Sequence, residues 1–293
     1  FMVIQWFPGH MAKATREVKE KLKLVDIVFE LVDARCPLSS HNMYLDEVVK
    51  DKKKIIIFNK IDLCDRKETA KWKNYFENKG YVVVYTDAKN SNNLNKVIDK
   101  AKEELAEKIA RQVAKGIKPR AIRSMVIGVP NVGKSTFINK LIKKNVANTA
   151  NKPGVTKKQQ WLKLNKDIEL LDTPGILMPK FDNQEIGKKL SLIGSIKDDI
   201  TPLDDVSLYL IELLKNNYLE NLNNHYKLNV KAEDENLAIM EKIAEKRFKK
   251  IGGDYDYDST IKLLIQDFRT QKFGLITLDN YNEIVNNEES YED

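Results

Sequence analysis

The sequence predicts an α/β fold, in which a parallel-rich sheet carries helices on both faces, followed by a small all-α C-terminal domain. Three observations support this prediction. Short apolar runs typical of buried parallel strands alternate with helical patterns through the first part of the chain. A glycine-rich loop connects one such run to a helical pattern. After about residue 180, apolar residues recur only at helical spacing.

Before the glycine-rich loop, the predicted elements alternate between helix and strand. The first is an amphipathic helix over residues 11–24, whose apolar face is formed by Met11, Ala14, Val18 and Leu22. Near-continuous apolar runs then predict buried strands at 26–35, 54–62 and 81–89. Helical patterns lie between and after these strands, at about 41–51, 67–79 and 93–114.

From the loop onward, the same alternation continues for a short distance. The run "SMVIG" at 124–128 predicts a strand that leads directly into the loop, and a helix follows at about 134–143. Two further strands are predicted near 160–164 and 167–171.

The C-terminal domain is predicted from segments of helical periodicity. The apolar stripes of two of them are Leu237, Met240, Ala244, Phe248 and Ile251, and Ile261, Leu264, Ile265 and Phe268. We expect both stripes to lie in the core of the domain. The opposite face of residues 242–250 is basic and suited to RNA: Lys242, Lys246, Arg247, Lys249 and Lys250.

Length and composition set the domain organisation and the class of protein. The 293 residues exceed one compact core, so we expect a first domain over 1–180 with an N-terminal extension, a helical domain over 181–285 and an acidic tail over 286–293. The composition is that of a soluble globular protein, with 42% hydrophobic and 32% charged residues. No apolar run is long enough to cross a bilayer, and the first residues lack a secretory pattern. We therefore expect a monomeric cytoplasmic protein with no membrane partner.

The two cysteines do not form a metal-binding pattern. Cys36 and Cys64 lie far apart and outside any CxxC pair, and His10, His41 and His225 are the only histidines. Structural zinc is therefore not expected, and each thiol is interpreted as a small buried hydrophobic group.

Positive charge is concentrated in one segment. The net charge is +7, and residues 137–166 contain no Asp or Glu but eight lysines: Lys140, Lys143, Lys144, Lys152, Lys157, Lys158, Lys163 and Lys166. Such a segment suggests a polyanionic partner. The alternative is a solvated basic face that reflects lysine-rich composition alone.

The segment "GVPNVGKS", Gly128 to Ser135, matches the phosphate-binding loop pattern GxxxxGK[ST]. Its backbone N–H groups converge on a phosphate, Lys134 supplies positive charge, and Ser135 presents a hydroxyl to Mg²⁺. The motif places a nucleoside triphosphate at this loop, and the expected contacts are Asn131, Val132, Gly133, Lys134, Ser135 and Thr136.

A second motif, Asn59-Lys60-Ile61-Asp62, follows a buried strand and predicts recognition of guanine. The Asp62 carboxylate would accept from the ring N1–H and the exocyclic amine, which adenine does not offer. Asn59 would bond the ring edge or tie this loop to the phosphate loop, and the Lys60 stem would pack on the base. Asp87 and Ala88, in "TDAK" after the next strand, would complete the base site, with the Ala88 N–H donating to the guanine oxygen.

The γ-phosphate side is predicted from "PGVT" and "DTPG". Asp172 would hold Mg²⁺ through water, the Gly175 N–H would reach the γ-phosphate, and the Thr156 hydroxyl would complete the Mg²⁺ shell. The base motifs thus precede the phosphate loop, which is the reverse of the usual order. Circular permutation explains this order, because termini on a parallel sheet can lie close together.

Taken with "QWFPGHM" at the start, "DAR" at 33–35 and the helical C-terminal part, this motif order resembles the circularly permuted GTPases of the ribosome biogenesis GTPase A family. The resemblance covers nearly the whole chain and implies a P-loop GTPase fold. Related permuted GTPases of the small subunit carry zinc-binding cysteine clusters, which this sequence lacks. The resemblance therefore implies the large (50S) ribosomal subunit and its rRNA as partners.

The resemblance also implies roles for individual residues. Ile176 stands where many GTPases place a glutamine that positions water, so His10 is the implied water-positioning residue, acting with Lys134, Thr156 and Gly175. Asn131 resembles an asparagine that helps to hold K⁺, although it could equally cap the loop.

The implied function is a Mg²⁺-dependent GTP hydrolase that acts as a switch in late 50S assembly, is stimulated by the particle and leaves after hydrolysis. Alternatives are an RNA-binding scaffold with negligible turnover, which Ile176 favours, a permuted GTPase with another RNA client, and a P-loop kinase or ATPase, against which Asp62 argues.

Overall fold

The computed structural model describes residues 8–145, 161–164, 166–171, 183–250 and 252–289, and it contains a six-stranded sheet. The strands are β1 (Ile27–Asp33), β2 (Lys53–Asn59), β3 (Val82–Tyr85), β4 (Ile122–Gly128), β5 (Leu162–Lys163) and β6 (Ile168–Leu171). Their order across the sheet is β3-β2-β1-β4-β6-β5, and β5 alone is antiparallel to its neighbour. The predicted parallel-rich sheet is confirmed.

Helices flank and follow this sheet. Those that accompany it are α1 (Pro8–Leu22), α2 (Met43–Val49), α3 (Arg66–Asn78), α4 (Leu94–Ala114) and α5 (Lys134–Asn145). Those that follow it are α6 (Gln184–Leu192), α7 (Leu203–Asn217), α8 (Leu219–Tyr226), α9 (Asn236–Arg247), α10 (Tyr257–Arg269) and α11 (Tyr281–Glu289). A short 3₁₀ helix, Asp198–Ile200, lies between α6 and α7. Among the helices of the described ranges, none is both long and apolar enough to span a bilayer.

Strand β1 lies at the centre of the sheet, and all its residues are buried. This position explains its near-continuous apolar sequence, because a central parallel strand is covered on both faces. Its register pairs Asp33 with Asn59 on β2 and Leu31 with Gly128 on β4. The carboxyl ends of three strands, and the motifs that follow them, therefore meet at one edge of the sheet.

The helices after the sheet pack back onto it. The buried Asp279 carboxylate accepts hydrogen bonds from the Leu38 and Ser39 backbone N–H groups at 2.8 and 2.9 Å, and from the Lys189 ammonium at 3.0 Å. The indole of Trp72 on α3 donates to the Asp279 carbonyl at 2.9 Å. Apolar residues of these helices and of the sheet share one hydrophobic cluster, and a second cluster lies between the sheet and α3.

The stripe predicted for α9 is partly wrong. Leu237 lies in the first turn of α9 and is 50% exposed, whereas Met240 and Ala244 are buried as predicted. The buried face instead includes Ile239 and Ile243, because α9 packs between α7 and α10 with a face rotated from the predicted one. Phe248 lies beyond the helix end and is half-buried, and Ile251 is outside the described residues.

On α10 the prediction holds. Leu264, Ile265 and Phe268 are buried, and Ile261 packs against the same cluster.

Candidate nucleotide-binding site

The candidate site lies where β1, β2 and β4 end and the loops that follow them converge. In open parallel sheets, ligands bind outside the carboxyl ends of the strands. The segment from Gly128 to Gly133 connects β4 to α5, so the phosphate loop has the strand-to-helix context that its motif requires.

Two glycines of this loop are required by close contacts. A Cβ at Gly128 would lie 2.6 Å from the Leu31 carbonyl oxygen, and one at Gly133 would lie 2.5 Å from Asn59 Nδ2. Gly133 also has a φ of +98°, which side chains disfavour. The absence of side chains here lets the loop lie directly against β1 and the base motif.

Lys134 is the first residue of α5, and Ser135 and Thr136 follow it with exposed side chains. A helix N-terminus supplies unpaired N–H groups and the positive end of the helix dipole. The three predicted phosphate contacts thus lie at the place where an anion is stabilised.

Asn59 joins the base motif to the phosphate loop. Its Nδ2 donates to the Val132 carbonyl at 2.8 Å, and its Oδ1 accepts from Thr86 Oγ1 and the Ala88 N–H, both at 3.1 Å. Of the two roles predicted for Asn59, the structure therefore contains the tie between loops. The Ala88 N–H, predicted to donate to guanine, donates here to Asn59.

Lys60 connects the base motif to β1. It adopts a left-handed backbone conformation, and its ammonium donates to Asp33 Oδ2 at 3.0 Å and to the Asn131 carbonyl at 2.8 Å. Asp33 is also paired with Arg35 through Nε at 2.9 Å and through NH2 at 2.8 Å. Burial raises the pKa of the Asp33 carboxyl, but the charges of Arg35 and Lys60 outweigh it and hold that pKa well below its usual value.

The sequence motifs did not predict that Asp33 and Arg35 hold Lys60, because "DAR" entered only as part of the family resemblance. A carboxylate at the end of a buried strand, followed two residues later by arginine, is a signal that could have indicated it. The cluster fixes the Lys60 side chain between β1 and the phosphate loop.

A cavity of about 360 Å³ opens beside these residues. It is lined by Asn59, Lys60, Asp62, Leu63, Asp87, Ala88, Lys89, Gly133 and Thr136, and by Arg269 and Gln271 from the C-terminal helices. This volume lies within the range of small-molecule sites. The structure thus brings the predicted base-binding residues together and adds two residues that no motif indicated.

Asp87 lines the cavity but mainly orders its own loop. Its carboxylate accepts from the Asn90 N–H at 3.1 Å and from the Asn90 side-chain amide at 2.5 Å. Asp62 is half-buried among the lining residues, which leaves its carboxylate next to the cavity.

Several predicted site residues lie outside the described part of the structure. These are Thr156, Asp172 and Gly175, together with Ile176. His10 lies within α1, but its side chain is outside the described part.

Ser135 is the predicted Mg²⁺ ligand that lies within the described residues, in the first turn of α5. Strand β6 ends at Leu171, immediately before Asp172, and runs parallel to β4, which leads to Ser135. A hydroxyl and a carboxylate are ligands that suit Mg²⁺.

Asn131 connects the phosphate loop to the segment after α6. It has a φ of +61°, and its Nδ2 donates to the Gly194 carbonyl. Ser195 Oγ donates to the neighbouring Pro130 carbonyl at 2.6 Å. The amide oxygen of Asn131 is the kind of group that ligates K⁺.

A second cluster of titratable groups lies away from the cavity. His41 is buried and bonded to Glu30 at 2.9 Å and to Asp46 at 2.9 Å, and the Lys54 ammonium pairs with both carboxylates. Burial lowers the pKa of His41, but the two carboxylates outweigh it and raise the pKa to about 9. Both ring nitrogens of His41 are paired with carboxylates, and Lys54 balances the charge of the same two carboxylates, so this is a buried ion network.

Both cysteines are free and buried. Burial raises the pKa of Cys64 to about 11 and that of Cys36 well above its usual value. This confirms their interpretation as small hydrophobic groups.

The chain is similar to known GTPases. Residues 22–182 match the family model described as RsgA GTPase, and residues 123–247 match the model described as 50S ribosome-binding GTPase. The chain is 49% identical over 279 residues to Ribosome biogenesis GTPase A of Bacillus licheniformis, covering 95% of this chain and 98% of that protein.

Two solved structures are also similar. One is GNP-bound YlqF from T. maritima, with a TM-score of 0.63, 28% identity and coverage of 92% of this chain and 98% of that one. The other is the GDP-bound form, with a TM-score of 0.61, 27% identity and coverage of 91% and 100%. With a phosphate loop bonded to a base motif that precedes it in sequence, the chain belongs to the ribosome biogenesis GTPase A family of circularly permuted GTPases.

Proposed function

We propose that the protein is a GTP-hydrolysing switch that acts in the cytoplasm in late assembly of the large (50S) ribosomal subunit. The observation that carries this proposal is the bond between Asn59 and the Val132 carbonyl, which joins the guanine motif to the phosphate loop. The names of the B. licheniformis relative and of the matching 50S family model support the ribosomal part.

GTP would bind with its base beside Asp62 and its phosphates at the N-terminus of α5. Asp62 accepts from the two guanine donors, while Lys134 and the loop N–H groups neutralise phosphate charge. Ser135 and Thr156, with Asp172 through water, would hold Mg²⁺, which would neutralise charge that develops on the phosphates.

Hydrolysis is attack of water on the γ-phosphate. Ile176 has no polar group to orient this water, so His10 is proposed to do so, with the Gly175 N–H contacting the γ-phosphate. Asn131 is proposed to hold K⁺ beside the phosphates, which would supply positive charge.

Ribosomal RNA would meet the basic surface of α9 and the residues after it. Lys242, Lys246, Arg247, Lys249 and Lys250 are all exposed. Lys242 is paired with Asp234 at 2.8 Å, whereas Lys249 and Lys250 lie beyond the helix end. Phosphate neutralisation by such residues makes binding fall as salt rises.

The test is phosphate release from GTP in K⁺ buffer, with large subunits, with small subunits as control and with neither. We expect strong stimulation by large subunits alone. Equal rates in all three reactions would contradict the ribosomal switch.

A scaffold with negligible turnover is the second candidate, because Ile176 replaces a water-positioning group. The scaffold would bind large subunits in a nucleotide-dependent manner and release no phosphate above background.

A further inference from the structure

The C-terminal helical part supplies one wall of the cavity beside Asp62. Arg269 is the last residue of α10, and Gln271 follows two positions later. We propose that Gln271 hydrogen-bonds to the nucleoside half of the bound guanine nucleotide, and that Arg269 is a positioning residue for this wall. The inference rests on the proposed guanine-nucleotide binding and adds a contact from outside the known motifs.

The turn that carries Gln271 is firmly held. Gln271 has a φ of +57°, which is uncommon for a residue other than glycine. Its N–H donates to the Phe268 carbonyl at 3.1 Å, and the Lys272 N–H donates to the Asp267 carbonyl at 2.8 Å. Phe268 and Phe273, on either side of the turn, are buried. The two backbone bonds form the Schellman motif that ends α10, so the helix end fixes the position of Gln271.

The side-chain amide of Gln271 has a fixed orientation. Its Nε2 donates to the Arg269 carbonyl at 2.6 Å, and the residue is half-buried at the cavity. An amide oxygen has two lone pairs, so Oε1 remains an acceptor in this orientation. An amide with restricted freedom loses little entropy when it forms a further bond.

Arg269 connects this wall to the phosphate loop. Its guanidinium forms two bonds to the Asp198 carboxylate, at 2.7 and 2.9 Å, and donates to the Ser191 and Leu192 carbonyls at 2.8 and 3.1 Å. The segment thus held continues to Gly194 and Ser195, which contact Asn131 and Pro130. Arg269 therefore fixes the position of the cavity wall relative to the phosphate loop.

The chemistry of the ligand follows from the groups present. Guanine offers an exocyclic amine, and the ribose offers hydroxyls, all of which donate hydrogen bonds. Asp62 is the predicted acceptor for the guanine donors, and Oε1 of Gln271 adds a second acceptor in the same cavity. The proposed bond joins Oε1 to the exocyclic amine of guanine or to the ribose 2′-hydroxyl.

The test compares Gln271→Gly with Gln266→Ala. Glycine tolerates the left-handed conformation, so Gln271→Gly removes the amide and keeps the turn. Gln266 lies on the exposed face of α10, so its substitution is a control for the loss of an amide outside the cavity. Dissociation constants are measured for GDP, for IDP, which lacks the exocyclic amine, and for 2′-deoxy-GDP.

We expect Gln271→Gly to weaken GDP binding about tenfold, in keeping with the loss of one hydrogen bond. The analogue that lacks the contacted donor should bind wild type and variant with equal affinity. Equal affinity for IDP identifies the donor as the exocyclic amine, and equal affinity for 2′-deoxy-GDP identifies it as the 2′-hydroxyl. Gln266→Ala should bind all three nucleotides as the wild type does. Wild-type affinity of Gln271→Gly for GDP, or an equal loss for all three nucleotides, would overturn the assignment.

Arg269→Lys tests the positioning role separately. Lysine cannot form the two-bond contact with Asp198, so the wall should shift and affinity should fall by the same factor for all three nucleotides. Unchanged affinity would remove Arg269 from the proposal. If the wild-type protein bound neither GDP nor GTP, the proposed function itself would fail, which is a different result from loss in the variants alone.

Discussion

The Asn59 side chain bonds to three groups in two separate parts of the nucleotide site through a single amide. Its nitrogen contacts the phosphate loop, and its oxygen contacts Thr86 and Ala88 after the next strand. Gly133 has no side chain because Asn59 occupies that space. The base and phosphate halves of the site are therefore built around one residue, while Asp62 is left to face the ligand.

Asp62→Asn is the residue change that tests base recognition. The amide presents a donor where the carboxylate accepted, so it should disfavour guanine and favour xanthine, whose ring carries an oxygen at the position of the amine. We expect affinity for GTP to fall by at least about tenfold, and xanthosine triphosphate to become the preferred nucleotide. Competition binding with GTP, xanthosine triphosphate and ATP measures this. A variant that kept its preference for GTP would contradict the assignment of Asp62.

Helix α2 is held against the sheet by the His41 ion network. The side chains of Glu30 on β1 and Lys54 on β2 are charged and buried within the sheet layer, with exposed fractions of 0% and 5%. Glu30 also accepts from the Asn42 N–H at 3.0 Å, immediately before α2. Buried charges persist only when they are paired, so this network positions the start of α2.

The network predicts a loss of stability at high pH. The pKa of His41 in the folded protein is about 9, above its ordinary value of 6.5. Its contribution to stability is therefore fully present below pH 6.5 and is lost as the pH rises through 9. We expect the midpoint temperature of unfolding to fall between pH 7 and pH 10, and to fall less in His41→Gln.

The contribution of Glu30 to stability has the opposite pH dependence, because His41 and Lys54 lower its pKa against the effect of burial. Its contribution is present above its ordinary pKa of 4.5 and is lost as the pH falls below that value.

For the high-pH prediction, the contradicting result is an equal fall of the midpoint temperature between pH 7 and pH 10 in wild type and His41→Gln. It would show that His41 does not titrate as predicted.

At the scale of the whole molecule, the segment between α10 and α11 contacts residues that are far from it in sequence. Asp279 bonds to residues 38 and 39 and to Lys189, while Leu278 donates to the Arg35 carbonyl at 2.6 Å. Arg35 also lies over the Phe268 ring, 5.5 Å from its centroid. The Asp33–Arg35 pair that holds Lys60 is thus in contact with the C-terminal helical part.

Asp279→Asn tests how strongly the C-terminal helices depend on this contact. Removal of the charge leaves the buried Lys189 ammonium without its carboxylate, which costs about 3–5 kcal/mol for a buried pair. We expect the free energy of unfolding to fall by about this amount, as measured by urea denaturation. Asp254→Asn, at an exposed position, is the matched control and should change stability by less than about 0.5 kcal/mol. Equal stability of the two variants would contradict the role of Asp279.

Much of the fold and site was predictable because its signals are local. Buried parallel strands such as β1 are apolar throughout, and a phosphate loop requires Gly133, Lys134 and Ser135 in fixed sequence positions. The order of the motifs along the chain also indicated the permutation. The exposure of Leu237 was not predictable from helical periodicity, because periodicity gives a face but not which neighbours cover it.

The sequence by itself determined the α/β class, the order of the motifs and the set of residues predicted to face GTP, since each follows from the spacing of a few neighbouring residues. Only the tertiary structure decided that Asn59 ties the loops together, that Asp33 and Arg35 hold Lys60, and that Arg269 and Gln271 line the base cavity. The physical reason is sequence distance: Gln271 is far from Asp62 along the chain, and contacts between such residues are set by how helices pack on the sheet.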